Sequence, residues 1–180
     1  MKHVMVKGLF LLLTLHLTIG TALSETAKEA DEKKADTVYK VRVEVKEVKN
    51  RRVAGKVRNH TIYIDQPEEF GADNTAPTPP ETLAFALGSC FVSTGRLIAL
   101  QRNMSLREIE AVVESELDFA KALGTGQEKR AGFEGFKIIA KIDADMSLAD
   151  KKKFIEEIAS RCPMCDNILN PTPVSYELKE

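Results

Sequence analysis

Hydrophobic residues change their spacing along this chain, and each change predicts a new element. Val41, Val43 and Val45 alternate with Arg42, Glu44 and Lys46, the spacing of a strand with one buried face. Two more short strands are predicted over Arg51–Val57 and Thr61–Asp65, with turns at Gly55 and at Asn59-His60. Pro67 to Pro80, rich in Pro, Gly, Asp and Asn, is a loop. Thr78-Pro79-Pro80-Glu81 then starts a helix: Thr78 caps, Pro79 suits the first helical position, and Glu81 completes a Thr-x-x-Glu capping box. Leu83, Phe85, Leu87, Phe91, Val92, Leu97, Ile98 and Leu100 make this helix apolar nearly all round. With no charge between Glu81 and Arg96, it is expected to be buried on most faces, as the centre of the fold or an interface.

Beyond it the period of two returns. Ile109, Ala111, Val113, Leu117 and Phe119 alternate with Glu110, Glu114, Glu116 and Asp118, and Phe136, Ile138, Ala140 and Ile142 form a hairpin partner. Ser147-Leu148-Ala149-Asp150 reads as a second capping box, opening a helix with Phe154, Ile155 and Ile158 on one side. Pro163 interrupts that helix directly after Cys162. A short helix over Met164–Leu169 and a last strand over Val174–Leu178 follow. Strands, helix, strands, helices and strand in that order predict an α+β fold with an antiparallel sheet.

The first 36 residues stand apart from this pattern. Lys2, His3 and Lys7 precede an apolar run from Gly8 to Gly20, and Ala22-Leu23-Ser24 offers small residues for a signal peptidase. The run is shorter than the ~20 apolar residues that span a bilayer, so a cleaved signal over 1–24 is expected. Membrane contact is expected only if the signal stays uncleaved. Residues 25–36 are small and charged, and read as a solvated tether to a domain over 37–180. The expected location is therefore outside the cytosol, periplasmic or extracellular.

Composition narrows the function. A net charge of -1 in 180 residues argues against nucleic-acid binding, which needs a concentrated basic face. Three cysteines are too few for a disulfide scaffold and suit chemistry better than stapling. Cys90, in an apolar helix, reads either as a core residue or as a reactive thiol, and Gly88-Ser89 beside it admit a close neighbour. Cys162-Pro163-Met164-Cys165 opens a helix, so free N–H groups and the positive dipole end face a thiol and favour its thiolate. Zinc needs four ligands, and outside the leader only His60 and Cys90 add to this pair, so no metal is expected.

The stretch Pro79-Pro80-Glu81-Thr82-Leu83-Ala84-Phe85-Ala86-Leu87-Gly88-Ser89-Cys90 resembles the central helix of the OsmC/Ohr family, as does the later helix ending in Cys162-Pro163. The resemblance covers about Tyr39 to Leu178. It implies an intertwined homodimer with active sites at the subunit interface, and a thiol peroxidase that uses no cofactor. Cys90 would attack an organic hydroperoxide to give a sulfenic acid, Cys162 would resolve it as a disulfide, and an external dithiol would restore both thiols.

Three positions depart from the family pattern. Family peroxidases use an Arg–Glu pair to acidify the attacking thiol, with the Glu directly after Asn-Pro. Pro80 holds that position here, and Glu81 stands one step on, about 100° round the helix. Glu81 therefore reads equally as a catalytic residue or as half of a capping box. Arg51 is the nearest match for the Arg, with Arg52 and Arg58 as rivals, and solvated strand ends account for all three. Cys165 replaces a usual Ser or His and stands as an additional redox candidate. A thiol-disulfide exchanger using Cys162 and Cys165, and a non-enzymatic module binding a hydrophobic ligand, remain alternatives.

The leader yields the first prediction. N-terminal sequencing of the native exported protein should begin at Glu25; a membrane-bound chain that retains Met1 would make the segment an anchor.

Overall fold

The computed structural model describes residues 37–179. The expected signal and tether lie outside the described residues. The elements that form the site belong to one compact unit, Val45–Glu180, and the side chains of 37–44 before it are exposed.

Strands β1 (Glu44–Lys49), β2 (Arg52–Val57) and β3 (His60–Ile64) form one antiparallel meander in that order. Its first turn lies at Asn50-Arg51, where φ is +48° and +66°. Two left-handed central residues are what a type I′ hairpin needs, and Asn tolerates that geometry well. This turn corrects two expectations. Gly55 lies inside β2, paired with Ile62, and forms no turn. The first strand starts at Glu44, later than Val41, because a tight turn at Asn50-Arg51 leaves β2 long enough to pair only the last residues before it.

Asp65 ends β3. Its carboxylate, 0% exposed, accepts from the Gln66 N–H (2.9 Å), the Thr75 N–H (2.8 Å) and the Thr75 hydroxyl (2.7 Å). The Thr75 hydroxyl and N–H hold this carboxyl below its ordinary value. The knot folds the loop that carries the chain to the helix α1 (Pro79–Gln101).

The α1 start is the predicted capping box: Thr78 Oγ accepts from the Glu81 N–H, and Glu81 Oε2 accepts from the Thr78 N–H at 2.8 Å. Leu87, Phe91, Thr94, Ile98 and Ala99 form a buried stripe at helical spacing. They pack on β4 (Leu106–Glu116), β5 (Gly135–Ala144) and α2 (Leu148–Arg161), through Ile109, Ile142, Phe154 and Ile158. Burying each such side chain stabilises the fold by ~1.5–3 kcal/mol. The rest of α1 differs from expectation: Phe85 is 74% and Leu100 69% exposed, with Leu83 and Leu97 also uncovered. One two-stranded hairpin and two short helices cover only one side of a long helix.

β4 and β5 pair antiparallel from Leu106↔Ala144 to Glu116↔Gly135, with a register shift between Leu106 and Glu108. Leu117 and Phe119 fall beyond the ladder. At Ser147 only half of the second capping box forms. Its Oγ accepts from the Asp150 N–H, but the shorter Asp carboxylate takes the Ser147 hydroxyl at 2.7 Å. The expected last strand over Val174–Leu178 is absent, and Val174, Tyr176 and Leu178 are exposed. An alternating pattern becomes a strand only where an edge accepts it, and here it meets none.

Gly95 sets how closely α1 approaches the hairpin and α2: a Cβ there would lie 2.5 Å from Ile109 Cδ1 and 2.9 Å from Ile158 Cδ1. Alanine gains about 1 kcal/mol of helix propensity, but overpacking two buried isoleucines costs ~1–3 kcal/mol. Gly95→Ala should therefore lower the urea midpoint; a raised midpoint would refute the close contact.

Candidate active site

Pro163 shapes the site. It ends α2, leaves Cys162 as C-cap of one helix and N-cap of the next, and starts α3 (Pro163–Leu169). A proline at the first helical position has no N–H, so the first free donors of α3 belong to Met164 and Cys165. Phe154 and Ile158 fix α2 in the core, which carries Cys162 against α1. There Leu87, Cys162 and Cys165 form a buried cluster with Cys90, Val113, Phe136, Ile138 and Met164 packed round it. The chain thus brings all three cysteines together, as free thiols. Gly88 allows this packing, since a Cβ there would meet Val113 Cγ2 at 2.9 Å.

Cys162 is the shared partner. Its sulfur accepts from the Cys165 N–H at 3.5 Å, and its side chain packs with those of Cys90 and Cys165. Burial pushes this thiol up, but the Cys165 N–H, both thiols and the Met164 N–H outweigh it, and the net shift is below the ordinary cysteine value. Cys90 moves the other way. Burial pushes it up, and the bond to Cys162 and the Cys162 charge add to that, against the Met164 N–H and the Thr94 hydroxyl. Burial and then Cys162 push Cys165 up to about 12. Cys90 therefore holds its proton more tightly than Cys162 does.

Access differs as well. Cys90 is half-buried, Cys162 is 1% exposed and Cys165 7%. Cys165 forms part of the wall of a groove of about 590 Å³, with Leu83, Leu87, Phe136, Ile138 and Ile168. Cys90 and Cys162 do not line it.

The other sequence candidates lie elsewhere. Glu81 is bound to Thr78, whose N–H and hydroxyl hold its carboxyl below the ordinary value. At about 100° per residue, the span from Glu81 to Cys90 puts the two on opposite sides of α1. Arg51 sits in the β1–β2 turn with its guanidinium on the Phe70 carbonyl. Arg52 stacks on the Tyr63 ring at 4.2 Å, and Arg58 occupies the β2–β3 turn. Among the described residues, no arginine contributes to the acidity of the three thiols. Thr94 and the Met164 N–H were not singled out from the sequence. Thr94 stands one turn beyond Cys90 on the buried face of α1, the position from which a hydroxyl reaches back to it.

A helix thus crosses a long hairpin, and a Cys-Pro break packs against its thiol. The chain matches the OsmC-like protein family over residues 71–177, more than half of its length, and belongs to that family. No curated protein matches it. Among solved structures it is similar to an OsmC like protein from Mycoplasma pneumoniae, with 16% identity and a TM-score of 0.64 over 74% of this chain and 89% of that one. An organic hydroperoxide resistance protein from Legionella pneumophila shares 21% identity, at a TM-score of 0.57 over 74% and 91%. The organic hydroperoxide resistance protein OhrB of Bacillus subtilis shares 18%, at 0.51 over 78% and 98%. At these identities the likeness establishes the fold.

The order of acidities is open to measurement. Thiolate absorbance near 240 nm should show one thiol titrating at lower pH than an ordinary cysteine, and Cys162→Ser should remove that step. A low step that survives in Cys162→Ser would assign it to another thiol.

Proposed function

We propose that the protein is a thiol peroxidase for organic hydroperoxides, exported from the cytosol, in which Cys90 attacks and Cys162 resolves. The observation that carries this reading is the packing of the half-buried Cys90 against the buried Cys162, whose thiol is shifted below the ordinary cysteine value. It supports a route to the Cys90 thiolate that needs neither Glu81 nor Arg51. The Cys162 thiolate takes the Cys90 proton, and the Cys90 sulfur attacks one oxygen of ROOH. The O–O bond breaks, leaving Cys90–SOH and an alkoxide that takes the proton back from Cys162 as ROH. Cys162 thiolate then attacks the sulfenic sulfur and expels hydroxide, giving the Cys90–Cys162 disulfide. An external dithiol reduces it by exchange. Outside the cytosol no glutathione pool does this, so a dedicated donor is part of the proposal.

The exposed apolar side of α1 and the uncovered β1–β3 sheet, where Val45, Val48, Ile62 and Tyr63 face solvent, support assembly as an intertwined homodimer. Light scattering should give twice the chain mass at micromolar concentration; a folded monomer contradicts it.

The activity test is consumption of cumene hydroperoxide with dithiothreitol. Cys90→Ser should lower turnover by about 10³-fold or more, and Cys162→Ser should stop after one turnover with an over-oxidisable sulfenate. Normal turnover in Cys90→Ser would overturn the reading. Insulin reduction that depends on Cys162 and Cys165 alone would favour the exchanger instead.

A further inference from the structure

Cys162 stands between two environments. Cys90 lies on one side, half-buried on α1, and Cys165 on the other, in the wall of the apolar groove. Cys162 packs with both of the other cysteines, its sulfur accepts from the Cys165 N–H, and it is closed to solvent. The Cys90–Cys162 pairing proposed above leaves Cys165 unused, although it is buried, thiol-bearing and bonded to the resolving sulfur.

We propose that Cys165 is a third redox thiol that relays the disulfide across Cys162, from the peroxide side to the groove. The relay rests on the peroxidase reading for its first disulfide. Once Cys90–Cys162 has formed, Cys165 loses its proton and its sulfur bonds to Cys162. The Cys90–Cys162 bond breaks, and Cys90 leaves as a thiolate that takes up a proton. One S–S bond forms as one breaks, so no electrons are gained or lost. An external dithiol then attacks Cys165 from the groove, passes through a mixed disulfide, and leaves as its own disulfide. Its two electrons and two protons restore the Cys162 and Cys165 thiols.

Geometry favours the exchange. Cys162 is the N-cap and Cys165 the third helical residue, so the N–H that anchors the Cys162 sulfur belongs to Cys165 itself. Positions three apart on a helix stand ~5–6 Å apart at Cβ, and an N-cap residue lies half outside the helix, free to close the rest. The proton on Cys165 is less of a barrier than in the resting protein. Part of what raises it is the charge on Cys162, and that charge is gone once Cys162 is bonded to Cys90. The exchange should quicken as pH rises, because its nucleophile is a thiolate. Its consequence is a division of surfaces. Hydroperoxide meets Cys90 on one side of Cys162 and the reductant meets Cys165 at the groove on the other, so the two substrates do not compete for one opening.

The test maps disulfides in the full chain after acid quenching, by mass spectrometry of peptides. One arm uses one equivalent of cumene hydroperoxide, the other diamide. With peroxide, Cys90–Cys162 should form first and convert to Cys162–Cys165, faster at higher pH. With diamide, Cys162–Cys165 should be the resting bond. Cys165→Ser and Cys165→Ala should both halt at Cys90–Cys162, and their turnover on dithiothreitol should fall about tenfold. Wild-type protein that rests as Cys90–Cys162 in both arms overturns the relay, as do Cys165 variants with wild-type turnover. The diamide arm needs no hydroperoxide. A Cys162–Cys165 resting bond there, with no reaction towards cumene hydroperoxide, supports the exchange and overturns the peroxidase reading alone.

Discussion

The sulfur of Cys162 is the point on which the site depends, and a single proline puts it there. Pro163 cannot continue α2, so the chain breaks after Cys162 and begins again as α3 with its first free N–H groups turned inward. Those donors, with the thiols of Cys90 and Cys165, outweigh the burial that would otherwise keep Cys162 protonated. The break would be idle if α2 were not held firmly. Phe154 and Ile158 lock it into the core shared by α1 and the β4–β5 hairpin, and Gly95 lets the three layers approach.

This arrangement changes how an attacking thiol can be prepared. An Arg–Glu pair raises the acidity of the thiol it touches, whereas here the more acidic thiol is the neighbouring Cys162. Cys162, 1% exposed, is shielded from solvent, while Cys90 is half-buried. Acidity and access are divided between two residues. One side of α1 and much of the β1–β3 sheet are left uncovered in the single chain.

Local chemistry was the most legible part of the sequence. Thr78 and Glu81 announce their capping box because the bond pattern is made within four residues, and it forms as read. The alternation of Ile109, Ala111 and Val113 with glutamates gives the hairpin and its inner face. Partnership was less legible. Val174–Leu178 has the right alternation but pairs with no strand, and Gly55 looked like a turn because the true turn, at Asn50-Arg51, uses an arginine in a left-handed conformation. An apolar pattern told that α1 avoids water, not what covers it. That Cys90 and Cys162 meet came from the likeness to a family, since no local pattern links residues so far apart. Thr94 was invisible because a threonine on a buried helix face is ordinarily only packing.

The most direct test is the pH profile of sulfenate formation on Cys90, followed by stopped flow with excess cumene hydroperoxide in wild type and in Cys162→Ser. If the Cys162 thiolate takes the Cys90 proton, the wild-type rate will follow a titration below that of an ordinary cysteine. The variant will then lose that limb and react about tenfold or more slowly at neutral pH. Two superimposable profiles would contradict the account, because Cys90 would then be acidified by something other than the neighbouring sulfur.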